Sequence, residues 1–598
     1  MFRQSVQITP RRFRARLVGL LPAWLYRWLR ATDAGASYAQ RVMVWLSARR
    51  LRGRQAALLA REGVRIQGVG LRAWLCDSVA VMSAEEVRRA NLDLVVDVLD
   101  RHGIDYFWVS TGSHERHCIG VAAGERQAVL LLLARELGRR PAYVSSPVGG
   151  RGRLRHVLAH ELRPARLGDV PYVRVTRLVS SPCGRLVLGF PYGCEIEFWT
   201  QDQAGTLQAP RPNRVASTLP RAHRRPATLS VRHHTYRTLE PFAHHTIHDV
   251  GFPVDAVYTW VDGSDPAWLA KKDRHLRLAG RAPMNVAAAN SARYVSRDEL
   301  KYSLRSLELN ADWIRTVFVV TDDQVPPWLD TSNPRVRVVS HREIFGEMDC
   351  LPTFNSHAIE SRLHHIQGLA QHYLYLNDDF FFGRPVPPEL FFQGNGVAKF
   401  FLSTAQLDLG PAELDDPPVM SAAKNNRRLV EDGFGVTVTH KLKHVPHSQR
   451  RDVLFEMEER FRGHFLRTAA SRFRNHQDLS IPSALHAYYA YCTGRAVPGE
   501  LRYMYTDLCD PLTPSRLQRL LRDRHLDVFC LNDTDHSGVD AEEQARSLER
   551  FLAAYYPMAS SFERPLEAVD VTPWQRDHRT RRSRQKADDR AGARQVAQ

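Results

Sequence analysis

Cysteine is scarce in this chain. Its 598 residues include eight, at positions 76, 118, 183, 194, 350, 492, 509 and 530, with no Cys-x-x-Cys pair and no regular spacing. That excludes a disulfide framework or a zinc ribbon as the organising device. Long apolar runs are missing too. The best, Leu17 to Tyr26, is interrupted by Pro22 and followed at once by Arg27, well short of the ~18–20 residues a membrane span needs. As a signal-peptide core the same run lacks a small-residue cleavage site and is followed by more arginine, so a bacterial cytoplasmic protein is expected. Lysine is nearly absent, 8 residues against 75 arginines, a skew that reads as GC-rich coding rather than arginine chosen for phosphate.

Acidic residues are almost missing from residues 1–54 and outnumbered at the other end. Residues 1–54 hold twelve Arg, no Lys and one acid, Asp33, and residues 574–598 hold eight basic and three acidic residues. These segments carry 16 of the net +18 and leave the 519 residues of the body at +2. A large basic groove is therefore not expected, and neither is a nucleic-acid partner. The whole chain is 43% apolar and 25% charged, the mix of a globular protein long enough for two or three packed units.

In residues 1–54 arginine interleaves with Leu17, Leu20, Leu21, Trp24, Leu25, Trp28 and Leu29, then with Val42, Val44, Trp45 and Leu46. Basic amphipathic helices of this kind suit an anionic membrane surface, and they equally suit packing on the protein's own body with Arg facing water. Residues 55–205 read as mixed α/β: a Ser83-capped helix with Glu85 and Glu86 in its first turn, strands at 104–110 and 195–199, and a helix at 127–137. With no Gly-rich phosphate fingerprint, an accessory scaffold or acceptor-positioning domain is expected there. Residues 206–250, rich in Pro, Arg and His, read as a linker or surface strap, with His233, His234, His244, His245 and His248 as solvated loop residues. The tail from 564 reads as basic and disordered.

From 251 to 563 strands alternate with helices. The strand 254–260 ends in Asp262 and Asp265, the strand 316–321 in Asp322 and Asp323, and the strand 373–376 in Asn377, Asp378 and Asp379. Alternation of this kind predicts an α/β fold, a Rossmann-like, largely parallel catalytic sheet with its polar loops on one edge. Asp262 and Asp265 fit either a ligand site or an Asx turn capping the next helix. Asp378 and Asp379, beside Phe380–Phe382, have the chemistry to hold a hard divalent cation, Mg²⁺ or Mn²⁺, against a diphosphate. Pro446, in the segment carrying His440, His444 and His447, argues against a continuous His-x-x-x-His helix and so against a zinc pair; a loop histidine there suits general-base work. Arg474 is suited to clamping a phosphate.

The segment VDAVYTWVDGSDP (254–266) resembles the first conserved block of the Stealth family of sugar-phosphate transferases. Three further stretches resemble the later blocks in order: DELKYSLRSL (298–307) through PTFNSHAIES (352–361) to YLNDD (375–379), then KHVPH (443–447) through Arg474, then CLND (530–533). The resemblance covers roughly 251–563. It implies transfer of a sugar 1-phosphate from a nucleotide-sugar, usually a UDP-sugar, to a hydroxyl of a polysaccharide or glycolipid acceptor, with release of UMP. By motif position it implies Asp262 and Asp265 at the donor site, Asp378 and Asp379 at a metal or diphosphate, and His444 as base with His447 as second choice. Arg474 would lie on the transferring phosphoryl group. Arg305, Glu360, Asn532 and Asp533 match family blocks as further substrate-binding candidates. Two competing readings use the same sequence: a metal-dependent glycosyltransferase releasing UDP, and a noncatalytic basic adaptor acting through its ends.

Overall fold

The computed structural model describes residues 33–564 except 81, 150–151, 232–233, 279–293, 295 and 534–540. The expectations for Leu17–Leu29, for His233 and for the tail beyond 564 lie outside the described residues. All eight cysteines are free thiols. Among the described residues no helix is long and apolar enough to cross a membrane.

The amino-terminal unit begins with the helix Asp33–Arg54, which lies on an antiparallel pair, Val64–Val69 and Arg72–Ser78; Ala73 N donates to Ser47 Oγ at 3.1 Å. The helix Ala84–Arg101 starts at the capping box foreseen from its sequence. Glu86 N donates to Ser83 Oγ and Ser83 N donates back to Glu86 Oε2, at 3.2 and 3.0 Å, so two end amides of the first turn are satisfied reciprocally. Its apolar stripe of Leu92, Val95, Val98 and Leu99 packs on Ile119, Val121, Val144, Val173 and Ile196 of a ten-stranded sheet. That sheet is mainly antiparallel; of its pairings, Cys118–Ala122 with Cys194–Gln201 and Phe107–Trp108 with His234–Leu239 are parallel.

The stretch 206–250 corrects the linker reading. Its strands Pro226–Val231 and His234–Leu239 form one edge of the ten-stranded sheet, and Leu207–Gln208 and Thr218–Leu219 attach to it. The hairpin alternates exposed and half-buried positions, which suits an edge strand with one face on the body. The outward positions are Pro226, Thr228, Ser230, Thr235 and Arg237, and the inward ones include Ala227, His234 and Thr238, so that alternation carries little hydrophobic contrast in the sequence. His244, His245 and His248 are exposed.

The carboxyl-terminal unit is built on a five-stranded sheet ordered Val336–Ser340, Val317–Thr321, Val254–Thr259, His372–Asn377 and His447–Arg450. The first four are parallel and the last runs antiparallel at the edge. Val317–Thr321 is buried along its whole length, as a strand covered on both faces must be. Val257, Val319, Leu374 and Leu376 meet Leu300, Leu304 and Leu307 of the helix Glu299–Asn310 in the principal core. A smaller sheet pairs Phe380–Phe382 with Val528–Asn532, placing Phe380 opposite Cys530. The two units share a further core, in which Val79, Val87, Leu186 and Leu188 pack with Tyr302, Phe381, Phe529 and Tyr556. Arg88 also pairs with Asp312 across this junction at 2.9 Å.

Candidate active site

The strand register brings the acidic loops to one edge. Thr259 lies opposite Asn377 and Val320, and Thr321 lies opposite Ser340. The turns carrying Asp262, Asp322 and Asp378 therefore leave the sheet together. His447 enters at the same edge, opposite Tyr375. Carboxyl ends of parallel strands are where α/β sheets bind ligands, because the loops there diverge around a crevice.

Asp378 and Asp379 are half-buried at this edge. Loss of solvent, reinforced by Glu299 and Asp379, pushes the Asp378 carboxyl well above its ordinary 3.8. Burial raises Asp379 too, with His444 and a hydrogen bond from Cys530 opposing it. The Cys530 thiol donates to Asp379 Oδ2 at 3.1 Å. Asp379 Oδ1 is buried and has no hydrogen-bond partner among the described residues. One ligand atom each from Asp379, His444 and Cys530 lie within 4.8 Å of one another. The His444 ring stands edge-on to Phe380 at 4.6 Å between centroids. Mutually repelling carboxylates with an unsatisfied buried oxygen fit a hard divalent cation, which supplies the positive charge the protein withholds.

A second group of contacts lies behind the same edge. Tyr375 OH donates to Glu360 Oε1 and Ser483 Oγ donates to Glu360 Oε2, both at 3.2 Å, while Thr259 Oγ1 meets Tyr375 OH at 3.2 Å. Arg474 Nη2 donates to Ser356 Oγ at 2.8 Å. The segment carrying Arg474 is tied to the helix Ser356–Glu360 through Asp478, whose Oδ2 accepts from Asn355 Nδ2 at 2.8 Å and from Asn475 N at 2.9 Å. His447 is buried; desolvation first, then His444 and His486, push it down to about 3, so its ring is neutral at ordinary pH. The residues around it form two short strands, His440–Leu442 and His447–Arg450, with the helix Arg451–Arg460 after them.

Asp262 and Asp265 organise their turn. Ser264 N and Oγ donate to Asp262 Oδ1 at 2.9 and 2.6 Å. Asp265 Oδ1 accepts from Ala267 N and its Oδ2 from Gln324 Nε2, both at 2.9 Å. The Gln324 bond, then the Ala267 amide, hold the Asp265 carboxyl below its usual value. Gly263 has no room for a side chain, since a Cβ would sit 2.0 Å from Tyr294 O. Asp322 pairs with Lys271 at 2.7 Å.

Of the remaining candidates, Asp533 pairs with Arg297 at 2.7 Å, and Arg297 also approaches Glu299 at 3.9 Å. Asn532 Nδ2 donates to Tyr505 OH at 2.6 Å. Arg305 is engaged elsewhere, in a two-pronged pair with Glu563 at 2.8 and 2.6 Å and with Tyr556 O at 3.0 Å. Two site residues escaped sequence reasoning. Glu299 reads as an ordinary first-turn acid, yet it is part of the carboxylate cluster. Cys530 reads as a strand residue, and its contact with Asp379 depends on a pairing between residues 151 apart.

Four family models match in chain order the conserved regions of Stealth proteins: region 1 at 252–276, region 2 at 293–400, region 3 at 443–491 and region 4 at 518–571. An exopolysaccharide phosphotransferase of Streptomyces coelicolor is 45% identical over 527 residues, 86% of this chain and 88% of the relative. The chain belongs to the Stealth family of phosphotransferases. Another member, the exopolysaccharide phosphotransferase CpsY of Mycobacterium tuberculosis, is 35% identical over 496 residues, covering 82% of this Stealth chain and 91% of CpsY. The first alignment is longer than the span 252–571, so the similarity reaches into the amino-terminal unit. Among solved structures, the galactosyltransferase LgtC aligns at 12% identity over 51% of this chain and 97% of its own, with a TM-score of 0.26.

Proposed function

We propose that this Stealth-family phosphotransferase moves a sugar 1-phosphate from a UDP-sugar to a hydroxyl of a glycan acceptor and releases UMP, in the assembly of a capsule or exopolysaccharide. The observation that carries this reading is the meeting of Asp379, His444 and Cys530 beside Asp378 and Glu299 on the carboxyl edge of the core sheet. In the proposed step the acceptor oxygen forms a bond to the phosphorus next to the sugar. The bond from that phosphorus to the bridging oxygen breaks, and the bridging oxygen departs with UMP. The anomeric bond stays intact, so configuration at the sugar is retained.

The chemistry asks for positioning and charge neutralisation more than for covalent help. His444 takes the acceptor proton. Its loop position beside Asp379 favours it over His447, whose ring is enclosed. Arg474 faces the transferring phosphoryl group, and Asp262 and Asp265 shape the donor loop, with Glu360, Asn532, Asp533 and Arg305 as supporting binding residues. Asp378 and Asp379 hold Mg²⁺ or Mn²⁺, which when bound neutralises charge on the diphosphate. We read the five-stranded sheet as Rossmann-like and the amino-terminal unit as an accessory domain that positions the acceptor. The helix Asp33–Arg54 shows Trp45 at 56% exposure with Arg49 over its ring at 5.8 Å. That face suits the anionic inner surface of the bacterial membrane.

The decisive experiment offers a panel of UDP-sugars with glycan acceptors, with and without Mg²⁺ or Mn²⁺, and follows nucleotide and product by phosphorus NMR and mass spectrometry. UMP release with phosphorus retained in the glycan is expected. Release of UDP with a phosphorus-free product would replace this reading with simple glycosyl transfer.

A further inference from the structure

We propose that His364, His365 and Glu458 form a second divalent-metal site, for zinc or a similar nitrogen-preferring cation, on the edge of the core sheet away from the reaction. His364 Nε2 and His365 Nε2 lie 2.8 and 2.7 Å from the same carboxylate oxygen, Glu458 Oε2. Ligand atoms of all three residues fall within 4.8 Å of one another. Two imidazoles and one carboxylate are a common ligand set for zinc and unlike the all-oxygen sets of Mg²⁺.

The surroundings hold the ligands in place. Arg362 Nη1 donates to the other Glu458 oxygen, Oε1, leaving Oε2 as the single oxygen directed at the rings. Phe455 stands edge-on to both imidazoles, at 4.8 and 5.2 Å between centroids. Arg451 Nε donates to His364 O at 2.7 Å and fixes the turn that carries them. Partners of this outer kind orient metal ligands. His365 and Glu458 are 28% and 20% exposed, leaving an entry path and room for a water as fourth ligand.

The site would join two segments that serve the reaction from opposite directions. The turn Leu363–His365 connects the helix bearing Glu360 to the strand His372–Asn377, and Glu458 lies on the helix that follows His447–Arg450. Arg450 pairs with His372, so both segments meet at the amino end of that strand. At ~3.3 Å per residue this is roughly 17 Å from Asn377, too far for a metal there to touch substrate held by Asp378 and Asp379. Its role is a clamp on the sheet.

The test uses the full chain carrying Asp379→Asn and His444→Ala, which removes two of the three ligand groups that meet at Asp379, His444 and Cys530. After chelator treatment it is titrated with Zn²⁺, and bound metal is counted after gel filtration alongside the melting temperature. One retained equivalent and a raised melting temperature are expected, with at least a tenfold loss of affinity on adding His365→Gln or Glu458→Gln. His365→Gln changes a part-exposed residue and keeps the test open should Glu458→Gln misfold. Absence of a retained equivalent, or one that survives His365→Gln, would overturn the proposal. In the otherwise unaltered chain, Co²⁺ should give visible bands that His365→Gln removes; unchanged bands would count against it.

Discussion

In the amino-terminal sheet Glu195 is buried at 4% exposure between Arg174, Arg211 and Arg116, which approach it at 2.5, 2.6 and 3.5 Å. Burial alone would raise its pKa, yet the three guanidiniums hold it below the usual carboxylate value. In the core sheet Asp378 and Asp379 meet Glu299, and burial with mutual repulsion raises Asp378 well above its ordinary value. The same residue class is thus compensated by three guanidiniums in one unit, while in the other Arg297 is shared between Glu299 and Asp533 and the Asp378 carboxyl stays raised. A buried charge that its own chain compensates is architecture. One left uncompensated lowers stability and persists where a ligand supplies the missing charge.

The comparison breaks most visibly at Asp379. Asp379→Asn should cut turnover by about 10²–10³-fold, the scale for losing one preorganised electrostatic contact, while the melting temperature in metal-free buffer holds or rises. A large fall in melting temperature with turnover retained would make Asp379 structural, like Glu195. His444→Ala should lower turnover by about 10²-fold or more with donor binding intact by calorimetry. Wild-type turnover would remove His444 from the proton-transfer role.

Glu195→Gln should act on stability instead, costing about 3 kcal/mol because three half-buried guanidiniums lose a buried partner. Denaturant unfolding would show this, and the folded fraction should keep its specific activity. A smaller effect separates the units by pH. For Asp378, whose folded pKa is raised, the folded form still holds protons above pH 3.8 that the unfolded chain has released. Stability in metal-free buffer therefore falls as pH rises through that window. For Glu195, whose folded pKa is depressed, the contribution is present above its ordinary 4.5 and is lost as pH falls through the lower folded value. Unfolding measured across pH should show Asp378→Asn flattening the first slope and Glu195→Gln the second; no change in either slope would remove the contrast. The smallest effect is expected at Trp45. Trp45→Ala combined with Arg41→Ala and Arg49→Ala should weaken binding to anionic vesicles by about 30-fold, at about 1 kcal/mol per basic residue near the surface, with turnover on a soluble acceptor unchanged.

Much of this was legible in the residues. The capping box at Ser83 and the apolar run 317–321 each announced their element, because helix starts and doubly covered strands impose local patterns. The strands ending in Asp262 and Asp378 pointed to the correct sheet edge for the same reason. The hairpin 226–239 did not, since its inward Ala227, His234 and Thr238 contrast little with its outward Thr228, Ser230 and Thr235. Glu299 and Cys530 were hidden for another reason. Each looks locally ordinary, and its role comes from a neighbour that is distant in the chain.

By itself the sequence determined which chemistry is on hand and where it is punctuated: carboxylates after strands, a histidine pair around Pro446, basic charge kept to the ends. Local hydrogen bonding, periodicity and composition are properties of neighbouring residues, so they can be read from order alone. Only the tertiary structure decided that Asp265 and Gln324 hold the first turn and that Arg305 is bound to Glu563. It also decided that Asp379 keeps a buried oxygen without a partner. Desolvation and charge compensation depend on what else folding brings within a few ångströms, and no spacing along the chain contains that.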